Sequence, residues 1–219
     1  MVAVIIKVTK ARSNEMKIIA VTGYKGGVGK TITSIHIARY LSDKGKVLLI
    51  DSDPNRSVEK WATRAEVPPP FKVKNEKSAP AHIAGNDFLV LDTPARPDSN
   101  ELKEISQEAH LTILPCVPDA ISLDPMLQMF HDLTPGAKYR VLISIAPPYP
   151  SKAAEDLRQV LKENQIEVFK GLIRRSASVV KAIDTGVTTA EMKGRDHQPW
   201  QDYKTVGKQI LEVINGTAQ

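Results

Sequence analysis

The chain has almost no cysteine: Cys116, within LTILPCV, is the single thiol in 219 residues. One thiol cannot close an internal disulfide or furnish a Cys-rich metal or iron–sulfur site, and it fits a reducing cytoplasm. Aromatic residues are scarce at 5%, which argues against a surface that stacks the bases of a single nucleic-acid strand. No apolar run approaches the roughly 20 residues of a membrane-spanning helix, so the chain reads as a soluble globular protein. The opening MVAVIIKVTKARSNE has neither a basic region ahead of its apolar run nor a small-residue cleavage site, and is not read as a signal peptide. His36, His82, His110, His131 and His197 lack metal-ligand spacing. Internal repeats and low-complexity segments are missing too.

What is present begins with a modest basic excess, 30 Lys and Arg against 25 Asp and Glu, which favours polyanionic partners. From Met16 onward the hydrophobic pattern becomes regular. MKIIAVT (16–22) reads as an apolar strand, residues 30–44 as a helix with Ile35, Ala38 and Leu41 on one side, and KVLLID (46–51) as a strand covered on both faces. A short helix is expected from Val58 to about Ala65, ended by the three prolines of EVPPPF. Further strands are expected at 87–92, 111–117, 139–146 and 166–173, with helices between them and a last helix over about 201–215 that turns Val206, Ile210 and Val213 inward and Lys204 and Lys208 outward. The alternation predicts a doubly wound, mostly parallel α/β sheet with helices on both faces, residues 16–219 forming one domain and residues 1–15 an N-terminal extension.

In such a sheet ligands bind beyond the carboxyl ends of the strands. Three motifs lie there. GYKGGVGKT (23–31) is a phosphate-loop pattern with Tyr24 where the strict motif has glycine and with an extra lysine, Lys25. The segment Gly26, Gly27, Val28, Gly29, Lys30, Thr31 and Ile32 is expected to wrap a polyphosphate, its glycines letting backbone N–H groups approach, Lys30 supplying charge and the Thr31 hydroxyl ligating Mg²⁺. DSDP (51–54) follows the second strand, and alternation puts Asp51 and Asp53 on one side, suited to a metal's water shell and an attacking water. The bland alternative is an Asx turn before a proline. FLVLDTP ends an apolar strand on Asp92, the arrangement that holds Mg²⁺ through water, with Thr93–Ala95 as a phosphate-sensing switch.

KGGVGKT, DSDP and FLVLDTP, in this order and spacing, resemble the ParA/MinD family of deviant Walker ATPases over residues 16–215. The resemblance implies a slow, Mg²⁺-dependent ATPase that forms an ATP-sandwich homodimer, with Lys25 crossing to the partner's nucleotide, Asp53 positioning the hydrolytic water, Asp51 supporting the network and Asp92 holding the metal. Arg96 departs from the small residue or glycine common there. Within the family the small ParA type, with its carboxysome-positioning branch, is the nearest likeness. It implies nonspecific binding to duplex nucleoid DNA in the cytoplasm, release stimulated by a ParB-like or McdB-like adaptor, and a plasmid or carboxysome as cargo. FKGLIRRSASVVKAIDTG resembles the segment where relatives carry basic DNA-contacting residues, so Arg174, Arg175 and Lys181, with Lys204 and Lys208 on the last helix, are the candidates for phosphate contacts. A cobyrinate or dethiobiotin synthetase type of enzyme and a MinD-like membrane ATPase are the alternatives.

Overall fold

A computed structural model describes residues 16–217; the N-terminal extension lies outside the described residues. Six strands form one parallel sheet in the order β3-β2-β4-β1-β5-β6. They are β1 (Lys17–Gly23), β2 (Val47–Asp51), β3 (Lys72–Asn75), β4 (Phe88–Ala95), β5 (Leu111–Cys116) and β6 (Tyr139–Ile143). The helices are α1 (Lys30–Ser42), α2 (Ser57–Ala62), α3 (Ser99–Glu108), α4 (Ala120–Asp132), α5 (Lys152–Glu163), α6 (Ala177–Asp184) and α7 (Pro199–Ile214). This is the doubly wound α/β arrangement that the alternation of patterns predicts.

Strand alternation divides the core. Ile19, Val21, Leu49 and Val90 pack beneath α1 and α7, with Ile35, Leu41, Val206 and Ile210. Their neighbours Ile18, Ala20, Leu48 and Leu89 pack on the opposite face with Ile105 of α3. A third cluster joins β5 and β6 to α4 and α5 through Leu114, Val141, Met129 and Leu157. Because both faces are covered, β2 is buried at all five positions, which is why it reads as a continuous apolar run.

Three elements differ from the sequence reading. KVKN, to which the reading gave no strand, forms β3 at the edge of the sheet beside β2. Its lysines obscure the apolar pattern and suit an edge strand, since charge there discourages pairing with another chain. Residues 166–173, read as a strand, make one isolated bridge, Val168 with Val141, and a second, Arg174 with Ala146, follows just beyond them. Between them the chain turns to α7: the Lys170 N–H donates to Gln209 Oε1 at 2.7 Å, and a Cβ on Gly171 would stand 3.2 Å from Thr205 and Val206. β6 also stops at Ile143, short of 146, because Ile145 has a positive φ of 52°.

Candidate functional site

The loop between β1 and α1 is shaped by its glycines. Gly27 and Gly29 have φ of 76° and 83°, a region that excludes most side chains. Open space surrounds the positions where a Cβ on Gly26 or Gly27 would stand, whereas Gly29 lies under the Ile145 side chain. The Ser144 hydroxyl donates to the Val28 carbonyl at 2.8 Å and ties the loop to the end of β6. The loop then runs directly into α1, whose first N–H groups and dipole favour an anion.

Lys30 opens α1 and is buried, and its ammonium donates to the Lys25 carbonyl at 3.1 Å. Burial pulls its pKa below the usual lysine value, while Asp92 and Asp53 support its charge. Asp92 lies fully buried in β4, in register with Asp51 of β2 and Val21 of β1. The Thr31 hydroxyl donates to its Oδ2 at 2.8 Å, and Ser34 Oγ stands 2.9 Å from its Oδ1. Burial lifts the Asp92 pKa to about 7; the two hydroxyls lower it, the neighbouring Asp51 raises it and Lys30 lowers it. A buried carboxylate bracketed by hydroxyls, beside a buried lysine and an open glycine loop, is a donor set that fits a hard divalent cation and a polyphosphate. Thr31 and Asp92 are the groups that would hold such a cation. β4 continues past Asp92 to Ala95, so Thr93 and Pro94 stand within the strand rather than in a loop after it.

Asp51 is fully buried, and its carboxylate is already engaged. Oδ2 accepts the N–H groups of Val58 and Glu59 at 2.9 and 3.0 Å, and Oδ1 that of Asp53 at 3.2 Å. It therefore anchors the start of α2, which has no cap from its own preceding residue Arg56. Asp53 is partly exposed and its Oδ1 accepts the Asn55 N–H at 2.8 Å, so the bland Asx-turn geometry is present at this position. The hydroxyl of Ser52, between the two aspartates, is buried without a hydrogen-bond partner among the described residues.

Tyr24 and Lys25 turn away from the phosphate loop toward α4. The Tyr24 N–H faces Met129 Sδ at 3.2 Å, and its hydroxyl donates to Asp132 Oδ2 at 2.6 Å. Burial, then Asp132, pushes the Tyr24 pKa up to about 12. Lys25 Nζ pairs with Asp119 at 3.2 Å. Arg96 takes a positive φ of 59° and is exposed, its N–H donating to the Gly23 carbonyl at 3.3 Å.

The five basic candidates fall into two groups. Arg174 is bound by Asp202, which takes its Nε at 2.9 Å, its Nη2 at 2.7 Å and its backbone N–H at 3.1 Å. Lys181 pairs with Asp196 at 2.7 Å. Arg175, Lys204 and Lys208 have no ion-pair partner among the described residues. Arg195, not singled out from sequence, joins Arg174 and Arg175 around a cavity of about 410 Å³ with Tyr149 at its rim.

Fold and site together define a P-loop nucleotide-binding domain. The chain belongs to the CobQ/CobB/MinD/ParA nucleotide-binding domain family, whose model matches residues 19–189. It is 29% identical to the maintenance of carboxysome distribution protein A of Gloeobacter kilaueensis, over 90% of this chain and 95% of that protein. Among solved structures, the ATP complex of a Cyanothece McdA variant superposes with a TM-score of 0.68 over 94% of this chain and 98% of that one, at 14% identity. Cobyrinic acid a,c-diamide synthase from Mycobacterium smegmatis, with bound ADP and magnesium, superposes with a TM-score of 0.64 over 93% and 97%, at 17% identity. At these identities the likenesses show the fold alone.

Proposed function

We propose that the chain is a positioning ATPase of the ParA type: it binds Mg-ATP, dimerises around two nucleotides, holds duplex DNA nonspecifically, and lets go when an adaptor stimulates hydrolysis. The observation that carries this reading is the grouping of Lys30, Thr31 and Asp92 at one end of the sheet, with the Lys25 carbonyl bonded to the Lys30 ammonium and the Lys25 side chain held by Asp119. Lys30 and the loop N–H groups cradle the phosphates, Thr31 and Asp92 hold Mg²⁺, and Asp53 orients the water that attacks the terminal phosphate. Asp51 supports Asp53 through the Asp53 N–H. Lys25 leaves Asp119 and reaches the partner's nucleotide, where its charge stabilises phosphoryl transfer as an arginine finger does. Arg175, Lys204 and Lys208 contact DNA phosphates, with Arg174 and Lys181 joining them only by exchanging their carboxylate partners.

The carboxysome-distribution relative supports a protein body rather than a plasmid as cargo. For the MinD-like alternative α7 offers no open apolar face, since it buries Val206, Ile210, Val213 and Ile214 against the core. The test is binding of a random-sequence duplex with Mg-ATP and with Mg-ADP at two salt concentrations. Salt-sensitive binding with ATP alone is expected. No binding in either state would leave a biosynthetic or membrane-directed P-loop enzyme as the better reading.

A further inference from the structure

Ser34 lies one turn beyond Lys30 on α1, outside the Gly-Lys-Thr signature, yet it is fully buried. Its Oγ stands 2.9 Å from Asp92 Oδ1 and 3.1 Å from the Lys30 carbonyl. A hydroxyl has a single hydrogen, so it serves one of these acceptors at a time. Bonding back to the carbonyl four residues earlier is the ordinary habit of a serine inside a helix. The second contact is not ordinary, because it crosses to another element. Thr31 and Ser34, three residues apart, share the face of α1 that looks at β4, and between them they take both oxygens of one carboxylate. With one donor alone, the terminal torsion of Asp92 would be broad and soft; two donors from one rigid helix fix the plane of the group.

We propose that Ser34 is a positioning residue for Asp92: by holding Oδ1 it keeps Oδ2 turned toward Thr31 and the place where Mg²⁺ is held. The inference rests on the reading of Thr31 and Asp92 as the metal-holding pair. The role assigned to Ser34 passes through the orientation of Asp92 and needs no contact of its own with nucleotide or metal. Partners of this kind typically change metal affinity by about 10–100-fold.

The experiment measures a fluorescent ADP analogue binding to the full chain, first in EDTA and then across a Mg²⁺ titration. Ser34→Ala removes one atom and improves helix propensity, so the variant is expected to fold. Its metal-free affinity should stay within about twofold of the wild type, while the Mg²⁺ concentration giving half-maximal tightening rises by about tenfold or more. Ser34→Cys, close in shape with a weaker donor, should fall between the two. An unchanged Mg²⁺ midpoint in Ser34→Ala would overturn the proposal. So would equal weakening with and without metal, which is the signature of a serine that serves only the helix. A wild type whose ADP binding ignores Mg²⁺ would instead remove the metal-holding role of Thr31 and Asp92, and the part of Ser34 with it.

Discussion

Lys30 and Lys25 are five residues apart in different electrostatic settings. Lys30 is buried among carboxylates whose charge keeps its ammonium in place against the cost of burial. Lys25 is partly exposed, and its partner Asp119 is more so. Exposed pairs contribute about 0.2–1 kcal/mol, little enough for Lys25 to exchange Asp119 for a phosphate. Lys30→Ala is therefore expected to abolish nucleotide binding, whereas Lys25→Ala should bind ATP normally and remain monomeric with it by light scattering. If Lys25→Ala dimerised fully with ATP, the crossing role would be wrong. These two lysines, Thr31 and Asp92 were singled out in the sequence because a glycine loop and an apolar run closing on a carboxylate are local patterns, although β4 runs on past Asp92 to Ala95. Ser34 was not, because its second partner lies 58 residues away and the contact exists only once β4 crosses beside α1. The carboxylate of Asp51 was read for the metal's surroundings or an Asx turn; that it also anchors the start of α2 depends on the backbone turn at Arg56.

At the scale of elements, α1 carries the phosphate loop and leans on α7, and the contact is close. A Cβ on Gly207 would stand 2.3 Å from the Tyr40 ring, whose body cannot swing aside as a flexible chain end does. Gly207→Ala should cost about 1–3 kcal/mol by urea unfolding despite the better helix propensity of alanine. An unchanged urea midpoint would show that the two helices can move apart freely. Above that contact His36 stacks on Tyr203 with ring centroids 4.0 Å apart. Its Nδ1 bonds the Ile32 carbonyl and its Nε2 accepts the Thr189 N–H, an arrangement that needs the neutral ring. Burial drives its pKa down to about 4, with the Ile32 bond and the charge of Glu191 opposing. The unfolded chain takes up this proton near pH 6.5 and the folded one only near 4, so stability is full above about 6.5 and falls through that window by up to about 3 kcal/mol. His36→Gln, able to keep both bonds, should show a smaller loss between pH 7 and 4.5; an equal loss would assign the acid sensitivity elsewhere. Most strands were readable because burial on both faces makes them continuous apolar runs. β3 and the 166–173 segment escaped because edge position and the pull of Gln209 toward Lys170 are tertiary effects with no local signature.

For the whole molecule the net charge of +5 matters less than where the unpaired cations lie. Asp202 and Asp196 neutralise Arg174 and Lys181 within the chain. Freeing either for DNA means exchanging one ionic partner for another, which gains little. Lys204 and Lys208, one turn apart on α7, have no ion-pair partner among the described residues and carry their charge to any polyanion intact. Each phosphate neutralised contributes about 0.9 to the slope of log affinity against log salt. Under the proposed function, Lys204→Gln with Lys208→Gln should flatten the slope for duplex DNA in Mg-ATP by about 2 per subunit. Binding should weaken equally for unrelated sequences, because phosphate contacts carry no base information. Arg174→Gln should change the slope less, since Asp202 already neutralises the guanidinium. ADP affinity should not move in either variant. A double-lysine variant with an unaltered slope would take α7 out of the DNA-binding surface and leave Arg175 and the cavity it shares with Arg195 as the place to look.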